Sequence, residues 1–421
     1  MKKRTLLLIA GALFALSSMA EYSNGYFIIN EGQYGSEPGL LNYYSSETNE
    51  ISTKVYQGAN NGSTLGMTAE FGTMADGKLF ICSKQNFGTG GRLVVANANT
   101  LETLANYVEI DGSADTRGVE AVVEANRFFV GTNVGVYAYD LTTLEPVGIV
   151  EGTAVEGTTY SPGTGDMVSH GGYLYVAVPD GVMVIDPVDN VLVTTVSIAN
   201  AVSVFEAGGK VYAAANSCTW GTPSQSDTEQ FVLINDDFTA GTVYDVPMAS
   251  PYFWFTPKPC KPVQVKGENA IVYSPGEGTK YLCKYNFSTG EFTEKFIEFE
   301  GRQQMYGHVV ASDLENGDLL VCTFQSYSST NYWFNIYDGQ TGGLKNSLKM
   351  PGHYWFPSQI IKAKDSSNPT RIEDVTVKEK EVAGVMYYNV TGQMSRIPFD
   401  GINIVLTRYT DGTTSTQKVM L

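Results

Sequence analysis

The sequence has few charged residues, and few of those are basic. Only 17% of the 421 residues are charged, and 27 Lys and Arg stand against 44 Asp and Glu, so the formal net charge is −17. Binding to nucleic acid and adsorption to anionic lipid both require clustered Lys and Arg. The sequence therefore predicts neither kind of partner, while 43% hydrophobic residues are enough for a buried core.

Residues and motifs typical of catalytic sites are also scarce. The chain has three His and five Cys, without zinc-type spacing, and it lacks the GxSxG, HExxH and P-loop motifs. The sequence therefore predicts no catalytic residue, no metal site and no cofactor, although acidic pairs leave acid–base chemistry on a glycan open. Cys82 and Cys322 lie in apolar runs and are predicted to be buried, and the odd Cys count leaves at least one free thiol.

Long apolar runs are absent after the N-terminus. Residues 1–20 combine a basic start, an apolar stretch and small residues, which predicts a signal peptide. A membrane anchor is the alternative, but the apolar stretch is shorter than the ~20 residues that span a bilayer. We therefore expect an exported protein of the periplasm or outer cell surface, with no transmembrane segment and no Cys for a lipid anchor.

Glycine, by contrast, is abundant, with 44 residues, and it separates short apolar strands that recur in pairs. A turn beginning with Asp or Asn follows the second strand of most pairs. These residues are Asn97, Asp140, Asp186, Asn235, Asn286 and Asp338. Each is expected to start a turn by bonding to the backbone two residues further on.

A period of ~40–50 residues with about four strands per unit is typical of a β-propeller blade. Seven strand pairs recur. The first pair lacks the strand that should precede it in its blade, and an extra strand at 351–365 follows the last pair. We therefore predict an all-β, seven-bladed propeller over residues 21–365, closed by a blade that the N- and C-terminal strands share. A β-sandwich is the alternative, and the near-constant period disfavours it. Residues 366–421 are predicted to form a linker and a small β-strand tail.

The unit IDPVDNVLVTTVSIANAVSVFEAGGKVYAAAN (185–216) resembles the YVTN-type surface-layer propellers. Residues 25–51, 250–263 and 350–360 resemble a Bacteroidetes family of exported, YncE-like seven-bladed propellers. One branch of that family is a surface lipoprotein that binds cobalamin and passes it to an outer-membrane transporter. The resemblance implies a corrinoid as one candidate ligand and an outer-membrane protein as a partner, although the lipobox Cys of that branch is missing here.

The tail contains GVMYYNVTGQM, DGINIVLTRYTDGT and QKVML, and it is similar to the C-terminal sorting tails of Bacteroidetes secreted proteins. The similarity implies delivery through type IX secretion. The alternative interpretation is a structural β-appendage.

Loop lengths and aromatic residues locate the predicted ligand site. Loops between second and third strands are long at 30–39, 83–91, 216–230 and 324–332 but short at 131–135 and 178–181, which favours a ligand placed off-centre. The predicted ligand-binding residues are Tyr34, Phe87, Trp220, Tyr252, Phe253, Trp254, Tyr306, His308, Tyr327, His353, Tyr354 and Trp355. Aromatic walls suit a tetrapyrrole, a corrinoid or a glycan; alternatively, rings such as Phe255 and Phe356 fill gaps between blades.

Polar residues near the predicted channel are a second group. His308 and His353 begin successive inner strands and either ligate a metal or form ordinary hydrogen bonds, whereas His170 is predicted at the surface. Four polar residues lie near other inner strands and are expected to contact a ligand or ordered water. They are Glu70, Arg117, Glu120 and Asp166. The function predicted from the sequence is capture of a small-molecule or glycan ligand. The alternatives are a protein-interaction scaffold and a glycan-active lyase or hydrolase.

Overall fold

The computed structural model describes most of the chain. The described residues are 22–155, 163–199, 201–216, 229–246, 261–276, 278–306, 309–350, 356–363, 382–389, 392–399, 401–409 and 414–420. The predicted signal peptide lies outside them. The chain divides into two compact units, Met1–Asn368 and Pro369–Leu421.

The described residues of the first unit form seven four-stranded antiparallel sheets. The strands of its first part are β1 (Gly25–Asn30), β2 (Leu40–Ser45), β3 (Glu50–Ser52), β4 (Met67–Ala75), β5 (Lys78–Gln85), β6 (Leu93–Asn97), β7 (Thr103–Tyr107), β8 (Thr116–Val122), β9 (Arg127–Thr132), β10 (Gly135–Asp140), β11 (Pro146–Ile149), β12 (Met167–His170), β13 (Tyr173–Val178), β14 (Gly181–Asp186) and β15 (Val191–Ser197). Helical structure in this unit is limited to α1 (Val55–Ala59) and a 3-10 turn at Val123–Ala125 among the described residues.

The remaining strands of the unit continue the same order. They are β16 (Ala201–Ala207), β17 (Lys210–Asn216), β18 (Glu229–Ile234), β19 (Ala240–Val246), β20 (Val263–Gln264), β21 (Ala270–Tyr273), β22 (Tyr281–Asn286), β23 (Phe292–Glu298), β24 (Val310–Asp313), β25 (Asp318–Phe324), β26 (Tyr332–Asp338), β27 (Leu344–Lys349) and β28 (Pro357–Lys362). Six sheets use four consecutive strands, from β4–β7 to β24–β27. The predicted all-β class and the pairing of the recurrent strands are confirmed.

The remaining sheet of this unit joins distant parts of the chain. Its order is β28-β1-β2-β3, and Ile360 of β28 lies opposite Ile28 of β1. Since β28 hydrogen-bonds along β1, that edge of the N-terminal strand is covered rather than open.

Asx turns connect the third and fourth strands of the sheets, as predicted. The Asn97 side-chain oxygen accepts bonds from the backbone N–H groups of Asn99, at 2.9 Å, and Thr100, at 3.0 Å. The same pattern occurs at Asp140, Asp186, Asn286 and Asp338. Asn235 differs, because its side chain donates to Thr239 Oγ1 at 3.0 Å.

The described hydrophobic core consists of seven clusters, each packed between neighbouring sheets. Phe80 and Phe128, from two consecutive sheets, pack with their ring centroids 4.8 Å apart. Cys82 and Cys322 are buried, as predicted, and Cys283 is buried too. Cys218 and Cys260 lie outside the described residues.

In the second unit, the residues that the structure describes form one sheet of order β30-β29-β31-β32. Its strands are β29 (Val382–Asn389), β30 (Met394–Ser395), β31 (Ile402–Tyr409) and β32 (Thr414–Met420). No helix in the part of the chain that the structure describes is long and apolar enough to cross a membrane.

Candidate functional site

The first strand of each sheet in unit 1, here called the inner strand, lies against a central cavity. Each inner strand contacts the next from β4 through β28, and β28 contacts β4. Residues at or beside all seven inner strands line a cavity of about 420 Å³. The site is therefore built by strands that the sequence repeat showed least clearly.

β-Bulges interrupt several inner strands near their first residues. Ala69 pairs with Ser83 and Phe71 with Cys82, so Glu70 is the extra residue of a bulge. The equivalent extra residues of β8, β16 and β28 are Arg117, Val202 and Ser358. Bulges bend a strand and redirect side chains, and here they occur beside the channel in four sheets.

Charged side chains, three of them buried and one partly exposed, gather at two of these bulges, in a group here called the charged layer: Glu70, Lys84, Asp115 and Arg117. The Lys84 ammonium lies 2.9 Å from the Glu70 carboxylate, and Arg117 Nη2 lies 2.5 Å from Asp115 Oδ2. Arg117 is only 2% exposed. A pair this deep costs hydration free energy, so it is weak evidence of a purely stabilising role.

Polar atoms around the charged layer lack hydrogen bonds within the described chain. These atoms are Thr68 Oγ1, Ser83 Oγ and Asp115 Oδ1. Thr68 also has a left-handed backbone, with φ 56°, which is costly for a β-branched residue. Such strain and unsatisfied groups are more typical of functional sites than of plain scaffold.

Two further carboxylates, Glu120 and Asp166, line the cavity itself. Ser203 Oγ donates to Asp166 Oδ2 at 2.6 Å. Burial raises the pKa of Asp166 to about 6, against the opposing effects of Lys261 and the Ser203 hydrogen bond. Burial likewise raises the pKa of Asp115 to about 6 and raises the pKa of Glu120.

Lys261 is the cation that lines the cavity within the described residues. Lys261 precedes β20, and its side chain reaches across to β12. There its Nζ donates to the Met167 carbonyl at 3.0 Å. Sequence reasoning identified Glu70, Arg117, Glu120 and Asp166 as candidate channel residues but missed Lys261. The sequence signal that could have identified Lys261 was a basic residue directly before Pro262, at the start of an apolar strand, in a chain with few basic residues.

The predicted ligand-binding residues fall into four groups. Tyr34 and Tyr327 are exposed, at 56% and 52%, whereas Tyr306 is 4% exposed. Phe87 is half-buried in a loop. The predicted residues outside the described part of the chain are Trp220, Tyr252, Phe253, Trp254, His308, His353, Tyr354 and Trp355.

Tyr306 and Tyr327 are brought together in one aromatic cluster. Tyr306 stacks on Phe356 with ring centroids 4.1 Å apart, and its ring centroid lies 6.0 Å from that of Tyr327. The Tyr306 hydroxyl donates to Glu31 Oε2 at 3.1 Å. Phe356 thus packs between neighbouring sheets, as the gap-filling alternative proposed, while Tyr327 provides an exposed ring edge.

His170 is the histidine in the described part of the chain. His170, predicted at the surface, is partly exposed, and its Nδ1 lies 3.1 Å from Glu206 Oε2. No group of three or more His, Cys, Asp or Glu placed to hold a metal occurs within the described ranges.

Solved structures share this architecture at low sequence identity. A quinoprotein alcohol dehydrogenase-like protein from Bacteroides thetaiotaomicron is 18% identical, with 82% of this chain and 79% of that chain covered and a TM-score of 0.63. A protein from Lactobacillus plantarum is 9% identical, with coverage of 80% and 98% and a TM-score of 0.54. AztD from Citrobacter koseri is 10% identical, with 94% of each chain covered and a TM-score of 0.46.

The first two of these structures show the fold, a β-propeller, and nothing about ligand or reaction. No curated protein sequence matches this chain. One family model matches residues 24–362, which covers the inner strands and the cavity they surround. The chain belongs to that family, the Domain of unknown function (DUF5074) family.

Proposed function

We propose that the chain is an exported, seven-bladed β-propeller that captures a small molecule in its central channel. Support for seven blades comes from the seven sheets of unit 1 and from the pairing of β28 with β1. Support for export comes from the signal-peptide pattern of residues 1–20. The YncE-like resemblance and the sorting-tail similarity agree with this location.

The observation that carries the proposed function is the charged central cavity. Ligand pockets of proteins usually measure about 300–1,000 Å³ and combine apolar walls with a few placed polar groups. The cavity of about 420 Å³ has this composition, because Glu120, Asp166 and Lys261 lie among Val, Phe, Met and Ile side chains. A purely structural channel needs only apolar packing or water at this position.

The corrinoid that the resemblance implies would bind differently. A corrinoid is a broad macrocycle, so it would rest on the aromatic rim rather than enter a cavity of this size. Tyr34 and Tyr327 are exposed, and this alternative places the macrocycle against their rings. We therefore propose the channel as the principal site and treat rim binding of a corrinoid as the alternative that the same experiment tests.

Binding to residues 21–421 is best measured by thermal shift and calorimetry with small amines, acids, sugars, glycans, haem and cobalamin. Gln264→Trp fills the channel, because Gln264 lines the cavity. Val193→Trp introduces the same side chain on an exposed outer strand and is the matched control. We expect one saturable site, with affinity at least tenfold weaker in Gln264→Trp and unchanged in Val193→Trp.

Binding that survives Gln264→Trp would exclude the channel as the site. In that case, cobalamin binding lost on Tyr327→Ala would place the site on the rim. Circular dichroism and unfolding curves of the variants verify that each is folded.

A further inference from the structure

The charges that line the cavity do not balance. Glu120 and Asp166 face it from two neighbouring sheets, and Lys261 is the one ammonium among its described lining residues. A third lining carboxylate, Glu206, is exposed and lies 3.1 Å from His170 Nδ1. The interior therefore holds two carboxylates for a single cation.

The Lys261 ammonium is hydrogen-bonded to a backbone carbonyl rather than paired with the cavity carboxylates. Its Nζ donates to the Met167 carbonyl at 3.0 Å. Within the described chain, no ion pair of 4.0 Å or less joins Lys261 to Glu120 or Asp166. Its charge nevertheless favours ionisation of both carboxyl groups. The ammonium is thus engaged by a carbonyl, and none of the described Lys and Arg residues forms an ion pair with either carboxylate.

The rest of the cavity wall is mainly apolar. Phe71, Val119, Phe205, Val309 and Ile360 line it. The neutral polar side chains are largely used within the fold, since Gln359 bonds to both the N–H and the carbonyl of Gly72 at 2.7 and 2.8 Å. A molecule that fits this wall has one charged end and a compact apolar body.

We propose that the cavity selects a small organic monocation, a primary amine with a compact apolar body, whose ammonium binds beside Glu120 and Asp166. One added positive charge, together with Lys261, balances the two carboxylates, and charges buried in pairs are far cheaper than single ones. An anionic ligand would add a third negative charge to the same enclosed space. This inference rests on the proposed function, because it assumes that the channel is the binding site.

The test compares three ligands of one shape by calorimetry on residues 21–421: phenethylamine, phenethyl alcohol and 3-phenylpropionate, with butylamine as a smaller amine. We expect the amines to bind at least tenfold more tightly than the alcohol or the acid. Asp166→Asn and Glu120→Gln each weaken amine binding at least tenfold. Glu145→Gln, which changes an exposed carboxylate in the outer turn between β10 and β11, leaves it nearly unchanged.

Lys261→Met is the most informative variant, because it removes a positive charge from the cavity. We expect amine binding to become several-fold tighter, since the competing cation is gone, with no gain for the alcohol. Loss of amine binding in a folded Lys261→Met protein would overturn the inference.

The two proposals fail in different ways. If the alcohol or the acid binds as tightly as the amine, and Gln264→Trp abolishes that binding, the channel is the site and the cation preference is wrong. If the amines and the wider ligand panel all bind equally well to wild type and Gln264→Trp, the channel is not the site. Absence of any binding by folded wild-type protein overturns both.

Discussion

The outer turns and the inner strands of the same sheets follow opposite rules. Asn97, Asp140 and Asp338 repeat one Asx turn, with the side-chain oxygen bonded to the same two backbone N–H groups each time. The bulges of the inner strands also repeat in position, but their extra residues are an acid, a base, an apolar residue and a hydroxyl. Backbone geometry is thus repeated in the Asx turns and in the bulges, whereas side-chain chemistry is repeated only in the Asx turns.

This difference separates scaffold from site. An Asx turn has one task, to reverse the chain between two strands, so each copy uses a similar side chain. Side chains beside the channel belong to a single shared space, where a ligand without sevenfold symmetry requires different groups from each sheet. We therefore expect substitutions to act locally and similarly at the turns, but strongly and individually at the inner strands.

The largest effect is expected from Arg117→Leu. The substitution leaves Asp115 buried without its guanidinium, and breaking a buried ion pair typically costs about 3–5 kcal/mol. Urea unfolding of the variant measures this loss. The double variant Arg117→Leu/Asp115→Asn should recover a large part of it, and equal losses in the single and double variants would contradict the pairing.

A smaller, pH-dependent effect is expected from Asp166→Asn. The raised pKa of about 6 means that the folded state holds the Asp166 proton more tightly than the unfolded chain, whose ordinary value is 3.8. Its contribution to the free energy of unfolding therefore falls as pH rises from about 4 to about 6, by about 3 kcal/mol at most. The Asn variant should gain stability relative to wild type over that interval.

Unfolding curves at pH 4, 5, 6 and 7 measure this change. Asp140→Asn is the contrasting control, because backbone hydrogen bonds from Thr143 lower the pKa of Asp140. Its wild-type contribution is present above the ordinary value and is lost as pH falls through the lowered pKa. A stability difference for Asp166→Asn that does not vary with pH would show that Asp166 ionises normally in the folded protein.

The smallest effect is expected at the Asx turns. Asn97→Ala removes two accepted hydrogen bonds and should cost about 1 kcal/mol, as should Asn286→Ala. Asn235→Ala should cost less, because its side chain donates to Thr239 rather than capping the turn. Thermal midpoints of the three variants give the order, and a loss at Asn235 as large as that at Asn97 would refute the assigned difference between the two turns.

Much of the fold was predictable because the middle strands and the Asx turns repeat with a readable period. The two strands that lead to the Asp140 turn, β9 and β10, for example, are apolar, short and bounded by turn residues. The loop lengths at 30–39 and 178–181 were likewise visible as the distance between such strands. Local chemistry determines these features, so a single sequence carries them.

The site was less predictable because it depends on contacts between distant strands. Glu70 and Arg117 were recognised as polar residues near inner strands, yet the bulges that hold them follow from pairing with β5 and β9. Lys261 contacts a carbonyl 94 residues away in sequence. No local pattern marks such a contact, and the aromatic residues singled out instead included Tyr306, which is buried against Phe356.

The sheet to which both ends of unit 1 contribute strands affects how the protein folds. Ser358 Oγ of β28 donates to the Ile29 carbonyl of β1, a contact between residues 329 positions apart. The entropy lost on closing a loop grows with its length, and folding slows as contact order rises. Closure is therefore favourable only after the intervening sheets have shortened the distance, so β28 should dock late. Until then the folding chain is an open arc with an exposed edge on β1, and that edge is where an incompletely folded copy would pair with another chain.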